Sequence, residues 1–303
     1  MSLRAYLQLV RLPAVFSAAA DVLMGCALAH GSWLIDDNPL PVAWLSAASV
    51  CLYLAGMVFN DVFDRDVDAR ERPQRPIPSG RVTLRAAVLF GAALTAGGVA
   101  AAGFVGANSL IVAGLLVAAI LAYDGGLKTT PLGPVTMGLC RALNVLLGAS
   151  AVADFEAIWV HPQVTVAACY GAYIAGLTWF ARNEAGTSTR RQLVRATVVI
   201  NAGLIALAFL AVNPRFGIGG RVPTINALLM WVAIAAVVNR GMFAAVAQPS
   251  PQHVQRAVRT MLRWLVMLDA VLIFAATGSA TYALATAALT VPAFVLAKWI
   301  EVT

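Results

Sequence analysis

Apolar residues along this chain gather into long unbroken runs, unlike the alternating or one-sided patterns of a soluble domain. Ten such runs stand out, near residues 14–30, 40–59, 84–105, 108–123, 133–153, 163–181, 193–212, 223–246, 261–278 and 280–298. Crossing the hydrocarbon of a bilayer takes about 20 apolar residues in a helix, so the pattern predicts an all-α, polytopic membrane bundle of nine or ten transmembrane helices. The count turns on the last two runs, which only Gly278 and Ser279 separate. No linker, low-complexity tract or shift of composition divides the chain, and residues 1–303 are expected to form a single membrane domain.

Composition sharpens this picture. Of 303 residues, 60% are apolar and only 12% charged, about half the charged share of an ordinary soluble domain. The charges are unevenly placed. With ten spans and the N-terminus inside, one side collects Arg4, Arg11, the 60–85 loop, Lys128, Arg141, the 182–195 loop, Arg240, Arg256, Arg259, Arg263 and Lys298, and the other only Arg215 and Arg221. The positive-inside rule then puts the N-terminus and the 60–85 loop in the cytoplasm. An integral protein of the bacterial inner membrane is expected. Its net charge of +7 follows from this topology and from attraction to anionic lipid heads. No basic groove with interleaved aromatics points to nucleic acid, and no nucleic-acid partner is expected.

Cys26, Cys51, Cys140 and Cys169 sit singly in apolar runs, without the paired spacing of a metal or redox site. His30, His161 and His253 lie scattered at segment ends and receive no role. Arg4, Arg11 and the run ending Ala27-Leu28-Ala29 imitate a secretory signal with its cleavage site. That run is expected to remain as the first helix, because no soluble domain follows it.

Polar density concentrates in residues 60–81, NDVFDRDVDARERPQRPIPSGR, where Asp61, Asp64, Asp66, Asp68 and Glu71 face Arg65, Arg70, Arg72, Arg75 and Arg81. Asn60, Asp64 and Asp68 recur every fourth residue, each turned about 40° from the last on a helix, so they share one face. An amide and two carboxylates suit magnesium, which takes oxygen ligands from one or two carboxylates and fills its remaining positions with water or phosphate oxygens. Pro73, Pro76 and Pro78 should end the helix near Glu71 and extend the segment that follows. Acid-before-base pairs Asp61–Arg65, Asp66–Arg70 and Asp68–Arg72 would support that helix. A solvated loop of balanced charges accounts for the composition equally well.

A faint internal repeat runs at an offset of 123 residues: Asp21-Val22-Leu23-Met24-Gly25 resembles Asn144-Val145-Leu146-Leu147-Gly148, and Asn60-Asp61 falls on Asn183-Glu184. Repeated halves in membrane proteins tend to hold a site at their interface. Asp21, Arg141, Asn144 and Asp269 lie in or near apolar runs, where polar groups are costly and face the bundle interior. Two roles stand open for Arg141 and Asn144: a polar lining of the bundle interior, or pairing between helices.

The spacing NDxxDxxxD followed by RPxxRPIPSG, after the second predicted helix, closely resembles the first aspartate-rich motif of the UbiA superfamily of intramembrane prenyltransferases. Tyr123 with Leu127-Lys128 after the fourth helix and Arg11-Leu12-Pro13 before the first extend the resemblance over most of the chain. The resemblance implies a ring of roughly nine helices around a central cavity open to lipid, capped by aspartate motifs that hold a magnesium-bound prenyl diphosphate. Asn60, Asp64 and Asp68 take the metal role there, with Asp64, Asp68 and Lys128 catalytic. Arg72, Lys128 and Arg182 become candidates to clamp phosphate oxygens, Arg75 a further one, and Tyr123, Arg141, Asn144 and Asn183 are placed against substrate. The implied activity is Mg2+-dependent transfer of an alkyl group larger than methyl, a prenyl chain, to an aromatic or lipophilic acceptor within the lipid.

One departure stands out. Where the family carries a second set of aspartates after the sixth helix, residues 178–191 read TWFARNEAGTSTRR, with Glu184 as their one acid. Glu184 and Asn183 would complete the metal site, with Arg182 as added positive charge. This loop, with MGLCRALNVLLG in the fifth helix, resembles the EboC-type UbiA-like proteins. The alternative is a non-catalytic isoprenoid-lipid binder or transporter. A phosphotransferase on nucleotide-activated alcohols would need a DG-x2-AR element, which the chain lacks.

Overall fold

The computed structural model describes residues 3–184, 186, 188–213 and 224–299. Arg215 and Arg221, expected on the far side, lie outside the described residues. A short helix α1 (Leu3–Leu9) precedes α2 (Val15–His30) and α3 (Leu40–Phe63), and a one-turn bend leads to α4 (Arg65–Glu71). Then follow α5 (Leu84–Gly103), α6 (Ala107–Asp124), α7 (Gly133–Gly148), α8 (Gln163–Ala181), α9 (Arg190–Val212) and α10 (Thr224–Ala247). The described chain ends in two bent helices, α11 (Pro251–Arg263) with α12 (Leu265–Thr277), and α13 (Ala280–Ala288) with α14 (Thr290–Trp299). Among the described residues, nine helical stretches are long and apolar enough to cross a membrane. The 16-residue α7 is a shorter one.

Several helix ends are written in the chain. Ser250 caps α11 by accepting the amide of His253, with Pro251 in its first turn. Gly278 closes α12 at φ 71°, a left-handed conformation that glycine adopts without a Cβ penalty. Ser279 caps the next helix by accepting the amide of Tyr282. The two-residue break expected from sequence is thus a stop followed by a start. The predicted span 133–153 ends earlier, at Gly148. There Ser150 Oγ donates to the Leu147 carbonyl at 2.6 Å and lies 2.8 Å from Ser109 Oγ, which turns the chain.

Consecutive helices pack side by side from α2 and α3 through α5 to α10, and α12 returns to α2, so the bundle closes as a ring. Trp33 stacks on Tyr282 with centroids 4.5 Å apart, docking the last hairpin against the end of α2. Across the middle, α2 and α7 touch. Their contact is reciprocal: a Cβ at Gly25 would overlap the Val145 carbonyl, and one at Gly148 would overlap the Val22 carbonyl. Both pairs are related by the 123-residue offset of the repeat. Asp21 and Asn144, also 123 apart, are hydrogen-bonded at 2.8 Å. α2 and α7 therefore cross with a local pseudo-twofold relation, with glycines allowing the backbones to approach as they do between membrane helices.

Candidate functional site

At one end of the bundle the loops after α3, α6 and α8 converge. Arg182 donates to the Thr129 carbonyl at 2.8 Å, Gln255 donates to the Glu184 carbonyl at 3.3 Å, and Arg81 reaches Gln8 at 2.7 Å. The charged motif sits in this convergence. Amide-to-carbonyl bonds run Asp64 to Asn60 (3.0 Å), Asp68 to Asp64 (2.8 Å) and Arg72 to Asp68 (2.8 Å), so the four-residue spacing stays on one side through the bend at Asp64.

The motif divides between two charge groups. In the first, Lys128 Nζ lies 2.7 Å from Asp64 Oδ1 and 4.0 Å from Asp124 Oδ1, and Asn60 Nδ2 donates to the same Asp124 oxygen at 3.0 Å. Tyr123, half-buried in the last turn of α6, adjoins this group. Asp124 did not emerge from the sequence. It stands alone at a helix end, and its one available signal is its place four residues before Lys128.

In the second group Arg75, only 5% exposed, donates to Asp68 at 2.7 Å and Asp61 at 3.3 Å. Arg11 also donates to Asp61, at 2.9 Å. Asp68 is therefore buried against a guanidinium, whereas Asp64 meets Lys128. The expected helical pairs of Asp61, Asp66 and Asp68 give way to these longer-range ones, and Asp66 meets its neighbour Arg65 instead. The segment after Glu71 is not extended. Anchored by Arg75, it folds into successive turns, with Ser79 donating to the Arg75 carbonyl at 2.6 Å and the Val82 amide to that of Pro76 at 3.0 Å.

In the loop after α8, Asn183 is exposed and donates to Gln192 at 3.1 Å. Burial raises the Glu184 carboxyl above its ordinary range, opposed by the charges of Arg72 and Arg259.

Arg141 and Asn144 pair between helices. Arg141 donates to Asp21 at 2.9 Å and Ser17 at 3.1 Å and lies over the Tyr53 ring. Asn144 donates to Asp21 and to the Ala18 carbonyl while accepting from Ser49 at 2.7 Å, which uses both ends of its amide. Asp269 is fully buried, with Tyr170 as its polar neighbour.

A shallow apolar groove lies between α3, α5 and α6, lined by Leu52, Ala55, Phe59, Thr95, Val117, Ile120 and Leu121. In the chain, Phe59 immediately precedes Asn60, and Leu121 lies one helical turn before Asp124.

Residues 18–266 match the model of the UbiA prenyltransferase family. The chain belongs to that family. It is 34% identical over 161 residues to the digeranylgeranylglyceryl phosphate synthase of Sulfurisphaera tokodaii, spanning 53% of this chain and 56% of that relative. To the synthase of the same name from Ignicoccus hospitalis it is 27% identical over 259 residues, 80% of this chain and 81% of the other. The chain thus spans little more than half the length of the first relative. A UbiA homologue from Aeropyrum pernix K1 shares the fold at TM-score 0.66 and 20% identity, covering 86% of this chain and 96% of that one. One from Archaeoglobus fulgidus, solved with GPP and Mg2+, does so at 0.61 and 15%, covering 94% and 99%.

Proposed function

We propose that this UbiA-family protein transfers a prenyl group from its diphosphate to a lipophilic or aromatic acceptor, with the charged end of the bundle binding the diphosphate in a Mg2+-dependent way. The observation that carries the reading is the gathering of Asn60, Asp64, Asp124 and Lys128 at one end of a bundle of membrane-spanning helices.

The donor set fits a magnesium ion. Asp64 and its partners already enclose a cation, the Lys128 ammonium, in a group of hard oxygen atoms. Among the described residues no three His, Cys, Asp or Glu gather tightly enough to hold a metal alone, so substrate oxygens would complete the shell, as magnesium commonly requires. Asn60 and Asp64 would hold it, with Asp68 reaching it only on release from Arg75 and Glu184 approaching from the second loop. When bound, magnesium neutralises diphosphate charge and makes it a better leaving group.

The chain's own residues account for the rest. Lys128, Arg72 and Arg182 ring the same end and offset the negative charge that grows on diphosphate as the allylic carbon–oxygen bond breaks. Apolar side chains of the surrounding helices would keep water from the carbocation. Transfer within an integral membrane protein lets both the isoprenoid and its acceptor arrive from lipid. The excess of Lys and Arg on this end supports a cytoplasmic site. The relatives named above are archaeal, and nothing in them supports the bacterial inner membrane over another host membrane.

The test is transfer of labelled prenyl diphosphates to a panel of lipid and aromatic acceptors by protein in vesicles. Metal-dependent product that falls about 100-fold or more in Asp64→Asn supports the enzyme. The exposed Asn183 and charge-opposed Glu184, where the family carries aspartates, favour one other reading: binding of an isoprenoid diphosphate without turnover. Tight binding with no product from any acceptor would select it.

A further inference from the structure

Asn60 and Asp64 supply one amide and one carboxylate, and the other groups expected of the site are engaged elsewhere. Asp68 is buried on Arg75 at 2.7 Å. Asn183 is tied to Gln192, and Glu184 lies opposite Arg72 and Arg259. Asp124 remains: it is only 5% exposed, yet its Oδ1 receives Asn60 Nδ2 at 3.0 Å and faces Lys128 Nζ at 4.0 Å. The same ammonium lies 2.7 Å from Asp64.

Resting on the proposed function, we infer that Asp124 is a ligand of the metal–diphosphate complex in this chain, supplying from the end of α6 a carboxylate that the second loop lacks. The charges agree. Asp64 and Asp124 bring two negative charges against one from Lys128, and the residual negative charge favours a divalent cation. Two carboxylates and an amide are the protein's usual share of a magnesium shell, with phosphate oxygens and water for the rest. The site should therefore bind metal weakly alone and tightly with diphosphate. The neighbouring Lys128 can turn from the carboxylates to the phosphate oxygens as the ion enters.

Asp124 could instead serve only to orient Asn60, and one substitution separates the roles. Asp124→Asn keeps an oxygen to accept from Asn60 and removes the charge. Mn2+ binding is followed by electron paramagnetic resonance on detergent-solubilised protein, with and without an unreactive prenyl thiolodiphosphate. The expected result is diphosphate-enhanced binding in the wild type, weakened about tenfold or more in Asp124→Asn and less in Glu184→Gln. Asp124→Glu, which keeps a carboxylate, should retain most of the affinity; its binding and melting temperature guard against misfolding of the asparagine variant. Wild-type affinity in a folded Asp124→Asn, alongside loss in Asp64→Asn, overturns the inference and leaves the proposed function standing. Equal loss in folded Asp124→Asn and Asp124→Glu also overturns it. No metal binding by the wild type overturns both.

Discussion

Arg75 shows why individual residues of this motif were only partly legible. A four-residue spacing puts Asn60, Asp64 and Asp68 on one face, and the backbone bonds preserve that face. Spacing says nothing of an arginine folding back from seven residues downstream to hold Asp68, or of Arg11 arriving from 50 residues away to meet Asp61. Nor does it mark Asp124, which belongs to no repeat of acids. Removing one member of a buried ion group leaves its partners charged and unpaired. Arg75→Met should therefore lower the stability of the solubilised protein by about 3 kcal/mol, seen as a lower melting temperature. Neutralising the stranded acid in Asp68→Asn/Arg75→Met should restore part of the loss. An unchanged melting temperature in the single variant would show that these ions are solvated.

Among the elements, apolar runs give most helices, because a membrane helix must satisfy every backbone group internally and so needs length above all. Caps are legible at Ser250, Gly278 and Ser279. The early stop of α7 and the turns of residues 72–82 are not, since both depend on contacts made by Ser109 and Arg75 from elsewhere in the fold. The 123-residue repeat proved informative at this level: it pairs α2 with α7 through Gly25 and Gly148. Gly148→Val would force its side chain into the Val22 carbonyl. It should cost about 3 kcal/mol and reduce the folded yield, measured by size-exclusion profile and melting temperature. Gly97→Ala, where a Cβ meets nothing within 4 Å, should leave both unchanged.

Over the whole molecule, fold class and family were legible from hydropathy and one motif, and the orientation proposed from charge yields its own prediction. Ser79, at the charged end, and Asp37, between α2 and α3 at the other, should lie on opposite faces of the membrane. Cysteines placed at these positions should react with a membrane-impermeant thiol reagent from opposite sides, Ser79→Cys from the cytoplasm; labelling of both from one side would refute the topology. The account's central claim is that this end grips a metal-loaded prenyl diphosphate through Asp64, and equilibrium binding of a labelled prenyl diphosphate tests it most directly. Wild type with Mg2+ should bind, and either chelation of the metal or Asp64→Asn should weaken binding at least about tenfold; equal binding in all three would contradict the account.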